Sequence, residues 1–292
     1  MLKFRRYLWI SGLVLLSGYF RACTSNPFFK ENYYELEKIS GQVILNDGVR
    51  PDSILVWCDG LELLTYTDRD GKFSLTIPPP EMQEGQSGLN GSFGLYFYLA
   101  NYAIDSRPIR LTEGHLEKAQ QFIDNDGWLR APVTLIKLLD ISTEVSPTQV
   151  SSDWQDTIEV DVRLLSYADG VTVRSLIWNK PFGSTTITYH SGIILRPLDN
   201  PKIAPVFIYN PDILYYDYHL PKGQLTVWPI KFLFDASILA PGDYEVSHFC
   251  WVIQDGVPQE IIDSFGEMWD WLDTDYLKIP LKRNCAILTI LP

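Results

Sequence analysis

From residue 39 onward the apolar residues fall in short runs separated by polar turns. Ile39-Ser40-Gly41-Gln42-Val43-Ile44 reads as a strand, followed by the turn-rich Asn46-Asp47-Gly48-Val49-Arg50-Pro51-Asp52. Ile54 to Trp57 and Leu63 to Tyr66 are compact apolar runs. In the next segment Phe73, Leu75 and Ile77 alternate with Lys72, Ser74 and Thr76, the period of a half-buried strand. Asp70-Gly71 supplies the hairpin turn before it, and Pro78-Pro79-Pro80 ends the ladder. Leu95 to Tyr102 and Val133 to Leu139 add strands, while Leu116, Ala119 and Ile123 recur at helical spacing and predict a short helix within 112–126.

The second half repeats the pattern. Asp140 to Pro147 is polar and ends in proline, as expected of a linker. Ile158-Glu159-Val160-Asp161-Val162-Arg163-Leu164 alternates cleanly. Further strands are expected at 171–178, 185–189, 193–195, 206–209, 225–234, 240–246 and 285–291. Between the last two, Pro258 can open a helix, and Ile261, Phe265, Trp269 and Leu272 form one apolar stripe with Glu260, Asp263, Glu267 and Asp270 on other faces. An amphipathic helical insertion over 258–272, covering an open end of the sandwich, follows from that spacing. Short strands with frequent turns predict an all-β fold: two antiparallel β-sandwich domains, 39–140 and 141–292, with short helical insertions.

The first sandwich resembles a known module. Gly41-Gln42-Val43, Pro51, Val56 and Thr67-Asp68…Gly71-Lys72-Phe73-Ser74-Leu75…Ile77-Pro78 look like the carboxypeptidase regulatory-like domain, and Leu95 to Tyr102 resembles its next strand, with Asn101 where glycine is common. The resemblance implies a transthyretin-like sandwich of the kind appended to exported peptidases, transporters and adhesins. It does not imply peptidase activity, because the zinc site of those enzymes belongs to a separate catalytic domain. Ala240-Pro241-Gly242-Asp243-Tyr244-Glu245-Val246 in the second sandwich resembles, more generically, a turn and strand of Ig-like or fibronectin-like domains.

The N-terminus carries a different signal. Lys3, Arg5 and Arg6 form a basic region, and Tyr7 to Phe20 an uncharged, mostly apolar stretch closed by Arg21. Fourteen residues of helix span about 21 Å, short of a hydrocarbon core of roughly 30 Å. The pattern is that of a secretory signal over 1–22, followed by a tether over 23–38. Ala22-Cys23 resembles a bacterial lipoprotein signal, which implies cleavage before Cys23, lipidation of its thiol and a place in the cell envelope, at the outer membrane or the periplasmic face. Phe20 and Arg21 depart from the usual leucine and uncharged residue, which leaves open cleavage by a general signal peptidase or retention as a short anchor.

Loss of 1–22 would remove four positive charges and take the formal charge from −12 to −16. Such a chain repels nucleic acid. Its partners are expected to be the membrane, through Cys23, and a glycan or an envelope protein.

Candidate chemistry is sparse. No His-Glu-x-x-His, Gly-x-Ser-x-Gly or phosphate-cradling glycine loop occurs, and no cofactor or metal site is implied. Asp68-Arg69-Asp70-Gly71 and Asp124-Asn125-Asp126-Gly127 lack the distal ligands of a calcium loop and read as turns. Cys58 reads as a small buried hydrophobe, and Cys250 and Cys285, in two late strands, could pair as a disulfide. His248 and Cys250 share a strand face two residues apart, too distant for a thiol–imidazole pair and better suited to packing. Tyr215, Tyr216, Tyr218 and Trp271 could form an aromatic platform for a sugar or peptide on loops of the second sandwich, or simply pack. The leading expectation is a non-enzymatic, lipid-anchored interaction or spacer protein. The alternatives are a glycan- or peptide-binding protein, and a hydrolase whose residues converge only in the fold.

Overall fold

Burial follows the two-residue period along most of the chain, and 53% of the structure is strand against 5% helix, so the protein is an all-β sandwich protein. The computed structural model describes residues 36–83, 88–182, 184–199 and 203–292. The expected signal segment 1–22, Cys23 and all but the last residues of the expected tether lie outside the described residues.

Strands are numbered in chain order. In the first sandwich β1 (Lys38–Leu45) lies between β4 (Lys72–Thr76) and β8 (Val133–Leu135), antiparallel to the former and parallel to the latter. The facing sheet is β3 (Leu63–Tyr66), β2 (Leu55–Cys58), β5 (Gly91–Tyr98), β6 (Asp105–Thr112) and β7 (His115–Leu116), antiparallel throughout. Inward residues of both sheets, among them Ile39, Val43, Val56, Phe73, Leu75 and Phe97, make the first core.

In the second sandwich β9 (Leu139–Ser146), β11 (Thr157–Ser166) and β17 (Leu225–Leu233) form one sheet. Opposite lie β10 (Gln149–Ser151), β20 (Ala286–Leu291), β18 (Gly242–His248), β14 (Ile193–Pro197) and β15 (Val206–Ile208). A further sheet is built on β12 (Val171–Phe182). Its one edge pairs with β16 (Ile213–Leu220) over Val171–Trp178. Its other edge pairs first with β19 (Cys250–Ile253), up to Ser175, and then from Leu176 with β13 (Thr185–Ser191). Because β13 runs on into β14 and β18 into β19, the sheet forks at Ser175. The second core lies inside, with Val160, Val162, Val173, Trp228, Val246 and Leu288 fully buried.

A third core joins the two sandwiches. Leu55, Trp57 and Tyr98 project from the outer face of β2 and β5 and pack with Leu176, Phe249 and Trp251 of the second sandwich. Ile261, Phe265, Leu272 and Tyr276 of the late insertion complete it. Residues 37–292 accordingly pack as one unit. Polar knots lie beside this core. Asn101, 1% exposed, donates from Nδ2 to the carbonyls of Leu139 (2.9 Å) and Lys282 (2.8 Å) and accepts from Lys282 N–H (3.1 Å). Lys137 Nζ lies 2.5 Å from both Asp47 and Asp140, and Tyr102 donates to Asp47. Burial pushes the Asp47 carboxyl up, but Lys137 and Tyr102 together hold it below the usual range.

Four expectations are corrected. Asp140 to Ser146 is not a linker but most of β9, and three residues separate it from β8. Residues 112–126 hold no helix: Glu113 (φ 50°), Gly114 (φ 78°) and Ala119 (φ 59°) reverse the chain, and Leu116 and Ile123 reach the first core from β7 and an isolated bridge. The helix expected over 258–272 is one turn, Gln259–Asp263, because Gly266 has φ 115° and the Asp275 carboxylate takes Met268 N–H in its place. Its apolar stripe covers the seam between the sandwiches rather than an open end.

Gly71 (φ 76°) shows how tightly the first sandwich is drawn. Its carbonyl accepts Val43 N–H at 2.8 Å, and an added Cβ would lie 2.1 Å from Val43 O. Gly71→Ala should therefore lower stability by about 2–3 kcal/mol in urea melts, and a change under about 0.5 kcal/mol would contradict that close approach.

The third core predicts coupled unfolding. Tryptophan fluorescence and far-ultraviolet circular dichroism should report one coincident transition, and Phe265→Ala should cost about 3–5 kcal/mol. Two separated transitions in the unsubstituted protein would show that the seam does not hold.

Candidate functional site

Each sequence-expected group has a definite place. The two Asp-x-Asp-Gly turns are one structure used twice. Asp68 Oδ1 accepts from the N–H groups of Asp70 and Lys72, and Asp124 Oδ1 from those of Asp126 and Trp128, all at 2.9 Å. Carboxylates saturated by their own backbone are turn-formers. Among the described residues no group of three or more His, Cys, Asp or Glu side chains is placed to hold a metal ion.

Cys58, Cys250 and Cys285 are free thiols, so the pairing that the sequence left open for Cys250 and Cys285 is not made in this structure. The β18–β20 ladder ends at Val246–Ala286, and by Cys250 the chain has passed on to pair with Ser175 of β12. Burial pushes the Cys250 thiol up to about 12 and that of Cys285 to about 11, so neither is a thiolate near neutrality.

The fork of the sheet collects the imidazoles. Ser175 Oγ lies 2.8 Å from His248 Nε2, the spacing of a nucleophile and its base. However, Ser175 is 0% and His248 1% exposed, and among the described residues His248 Nδ1 has no hydrogen-bond partner to orient the ring. A substrate cannot reach this pair, which is a buried polar contact at the point where β12 changes neighbours. His190 stacks on Trp228 (4.4 Å between centroids, 14° between planes), and Tyr218 packs against both rings. Of the other histidines, His115 lies beside Glu37 (3.7 Å) and His219 bonds to Thr172 (2.8 Å).

The four candidate aromatic residues pack in two groups rather than forming one platform. Tyr215, Tyr216 and Tyr218 lie on a strand, β16, not on loops. Alternation sends Tyr215 to one face, where it meets Trp271 and Trp251 at 5.9 Å, and Tyr216 and Tyr218 to the other, where their rings are 4.5 Å apart. Tyr215 also donates to the Asp270 carbonyl, so the Tyr215–Trp271 pair is braced in place.

Among the described residues, two aromatic clefts exist that were not expected. One, of about 240 Å³, lies at the seam between Tyr98, Trp251, Phe265 and Trp269. The other, of about 360 Å³, lies between the β12–β13 hairpin and β17 and is lined by Trp178, Lys180, Tyr189, His190, Pro229 and Lys231. Trp178 and Tyr189 are register partners across the hairpin, and their rings stack at 4.8 Å and 19°. Thr188 donates to Asn179 at 2.8 Å and tightens the same rungs. The sequence signal for this cleft was an aromatic residue at each end of two strands joined by a short turn, but nothing there distinguishes a cleft from packing.

Burial holds both inner histidines neutral. It lowers His190 to about 4 and, with the neighbouring His190, His248 to about 3; the Gly192 backbone opposes this weakly without forming a bond of normal geometry. An unfolded histidine titrates near about 6.5. Below that pH the unfolded chain binds more protons than the folded one, so this contribution to stability is complete above pH ~6.5 and is lost as pH falls towards the folded values. Urea-melt stability should decline from pH ~6.5 to ~4, and His190→Phe should flatten the decline. An unchanged slope in that variant would contradict the assignment.

No protein-family profile and no curated protein sequence matches the chain.

Proposed function

We propose that the chain is an exported bacterial envelope protein, anchored by lipid on Cys23, whose sandwiches serve as non-enzymatic interaction or spacer modules. The observation that carries this reading is the N-terminal series of Lys3, Arg5 and Arg6, an apolar stretch and Ala22-Cys23. The resemblance of 39–140 to the carboxypeptidase regulatory-like domain supports it, since that module is an accessory of exported proteins. The sealed Ser175–His248 pair and the protonated, buried thiols fit a structural body better than a hydrolase. The acidic balance, −12 for the whole chain, suits a partner other than nucleic acid.

The anchor has physical consequences. Acyl chains contribute about 0.8 kcal/mol per buried methylene, and two or more hold a protein on a bilayer stably. Mass spectrometry of the native N-terminus should find a diacylated or triacylated Cys23, and Cys23→Ala should move the protein from the membrane to the soluble fraction. An unmodified N-terminus elsewhere in the chain would reject the anchor.

A further inference from the structure

We propose that the cleft between the β12–β13 hairpin and β17 binds a pyranose residue carrying one carboxylate, within an otherwise neutral oligosaccharide. The proposal deepens the interaction-module reading above and rests on its non-enzymatic part.

The hairpin extends past the end of β16, whose pairing with β12 stops at Trp178. From Asn179 to Thr188 its described residues are exposed, so no core fixes the side chains there. Trp178 and Tyr189 nevertheless stack into a continuous flat wall, held by strand register rather than by a hydrophobic interior. The negative face of an aromatic ring attracts the polarised C–H bonds on one side of a pyranose, and a rigid wall loses little entropy when a sugar seats on it. The volume of about 360 Å³ is at the small end of the range for ligand pockets, suited to one or two sugar units.

Lys180 and Lys231 give the cleft its sign. Lys180 comes from the hairpin and makes no ion pair among the described residues, while Lys231 comes from β17 and is shared with Glu159 at 3.1 Å. A free ammonium beside an aromatic wall can form a charge-assisted hydrogen bond to a carboxylate. His190 lines the same cleft, and its buried Nδ1 has no partner among the described residues. The ligand is not a continuous polyanion. A chain of net charge −12 repels one as a whole, whereas a single carboxylate responds to the nearest charges because salt screens beyond about 8 Å.

The test uses the full chain purified in detergent, titrated with glucuronate-substituted xylotriose and with plain xylotriose by calorimetry and tryptophan fluorescence. The acidic sugar should bind about tenfold tighter or more. Trp178→Ala should weaken both sugars by about tenfold or more, and Lys180→Met should erase the preference for the acid with Tm unchanged. Equal affinities, no binding of either at millimolar concentration, a preference that survives Lys180→Met, or tighter binding of polygalacturonate or of peptides would each overturn the proposal. Cleavage of the bound sugar would refute the non-enzymatic reading while leaving the site intact, and an unlipidated Cys23 would remove the anchor without touching either.

Discussion

β2 and the C-terminal half of β5 have no wet side. Val56, Cys58, Leu95 and Phe97 face the first core, while Leu55, Trp57 and Tyr98 press outward onto the second sandwich and the late insertion. A large apolar side chain left exposed costs about 1.5–3 kcal/mol relative to burial. The outer face of this sheet therefore demands a cover, and the geometry of the rest answers that demand. The join between the sandwiches is three residues long, and it is clamped by Asn101 and by Lys137 between Asp47 and Asp140. Such a join holds one docking geometry, where a flexible linker would let the apolar face open to water.

The same cover explains the forked sheet. Phe249 and Trp251 must face the first sandwich, while Cys250 and Val252, alternating with them, face the second core. To do both, β18 leaves β14 and continues as β19 against β12. The crossing needs close backbone approach, which Gly192 (φ 94°) permits: a Cβ there would lie 3.2 Å from that of Phe249. Polar groups trapped at a crossing must bond to each other, since burying them unpaired costs about 1–3 kcal/mol each. Ser175 and His248 do so, and that is a structural account of a pair that otherwise looks like chemistry.

Much of the fold was legible because a single wet face leaves a period of two. Phe73, Leu75 and Ile77, and Ile158 to Leu164, declared their strands in this way. β9 was hidden because its inward position 143 is a threonine. Its hydroxyl donates to Val246 O (2.6 Å) and accepts from Ala286 N–H (2.9 Å), a bond between sheets that reads in sequence as a polar break. In 112–126 the spacing of Leu116, Ala119 and Ile123 imitated a helix, but positive φ at Glu113 and Ala119 turns the chain back. The runs Ile54 to Cys58 and Leu95 to Ala100 did carry the mark of strands buried on both faces, continuous apolarity. What covers the second face was not readable, since its partners lie far along the chain, in the second sandwich and the late insertion. The site residues were harder still. The three tyrosines, grouped by proximity in sequence, were divided by strand parity, so that only Tyr215 meets Trp271, and the wall that does form joins positions 178 and 189 across a turn.

Stability and recognition are thereby placed in different parts of one strand. Up to Trp178, β12 is flanked on both edges and packs on both faces, so substitutions there act on the cores. Beyond it, the hairpin is a two-stranded ribbon, a form marginal in water without further support. Its support is the Trp178–Tyr189 stack, the Thr188–Asn179 bond and the nearby β17. Elements held by so few contacts lie at the low end of local stability, where binding surfaces can change without unfolding the body. An aromatic pair exposed at such a place adds little to the cores. That the two rings stack on a ribbon with no hydrophobic interior of its own, beside a lysine that makes no ion pair among the described residues, is the physical reason to look for a ligand there rather than at the sealed imidazoles beneath it.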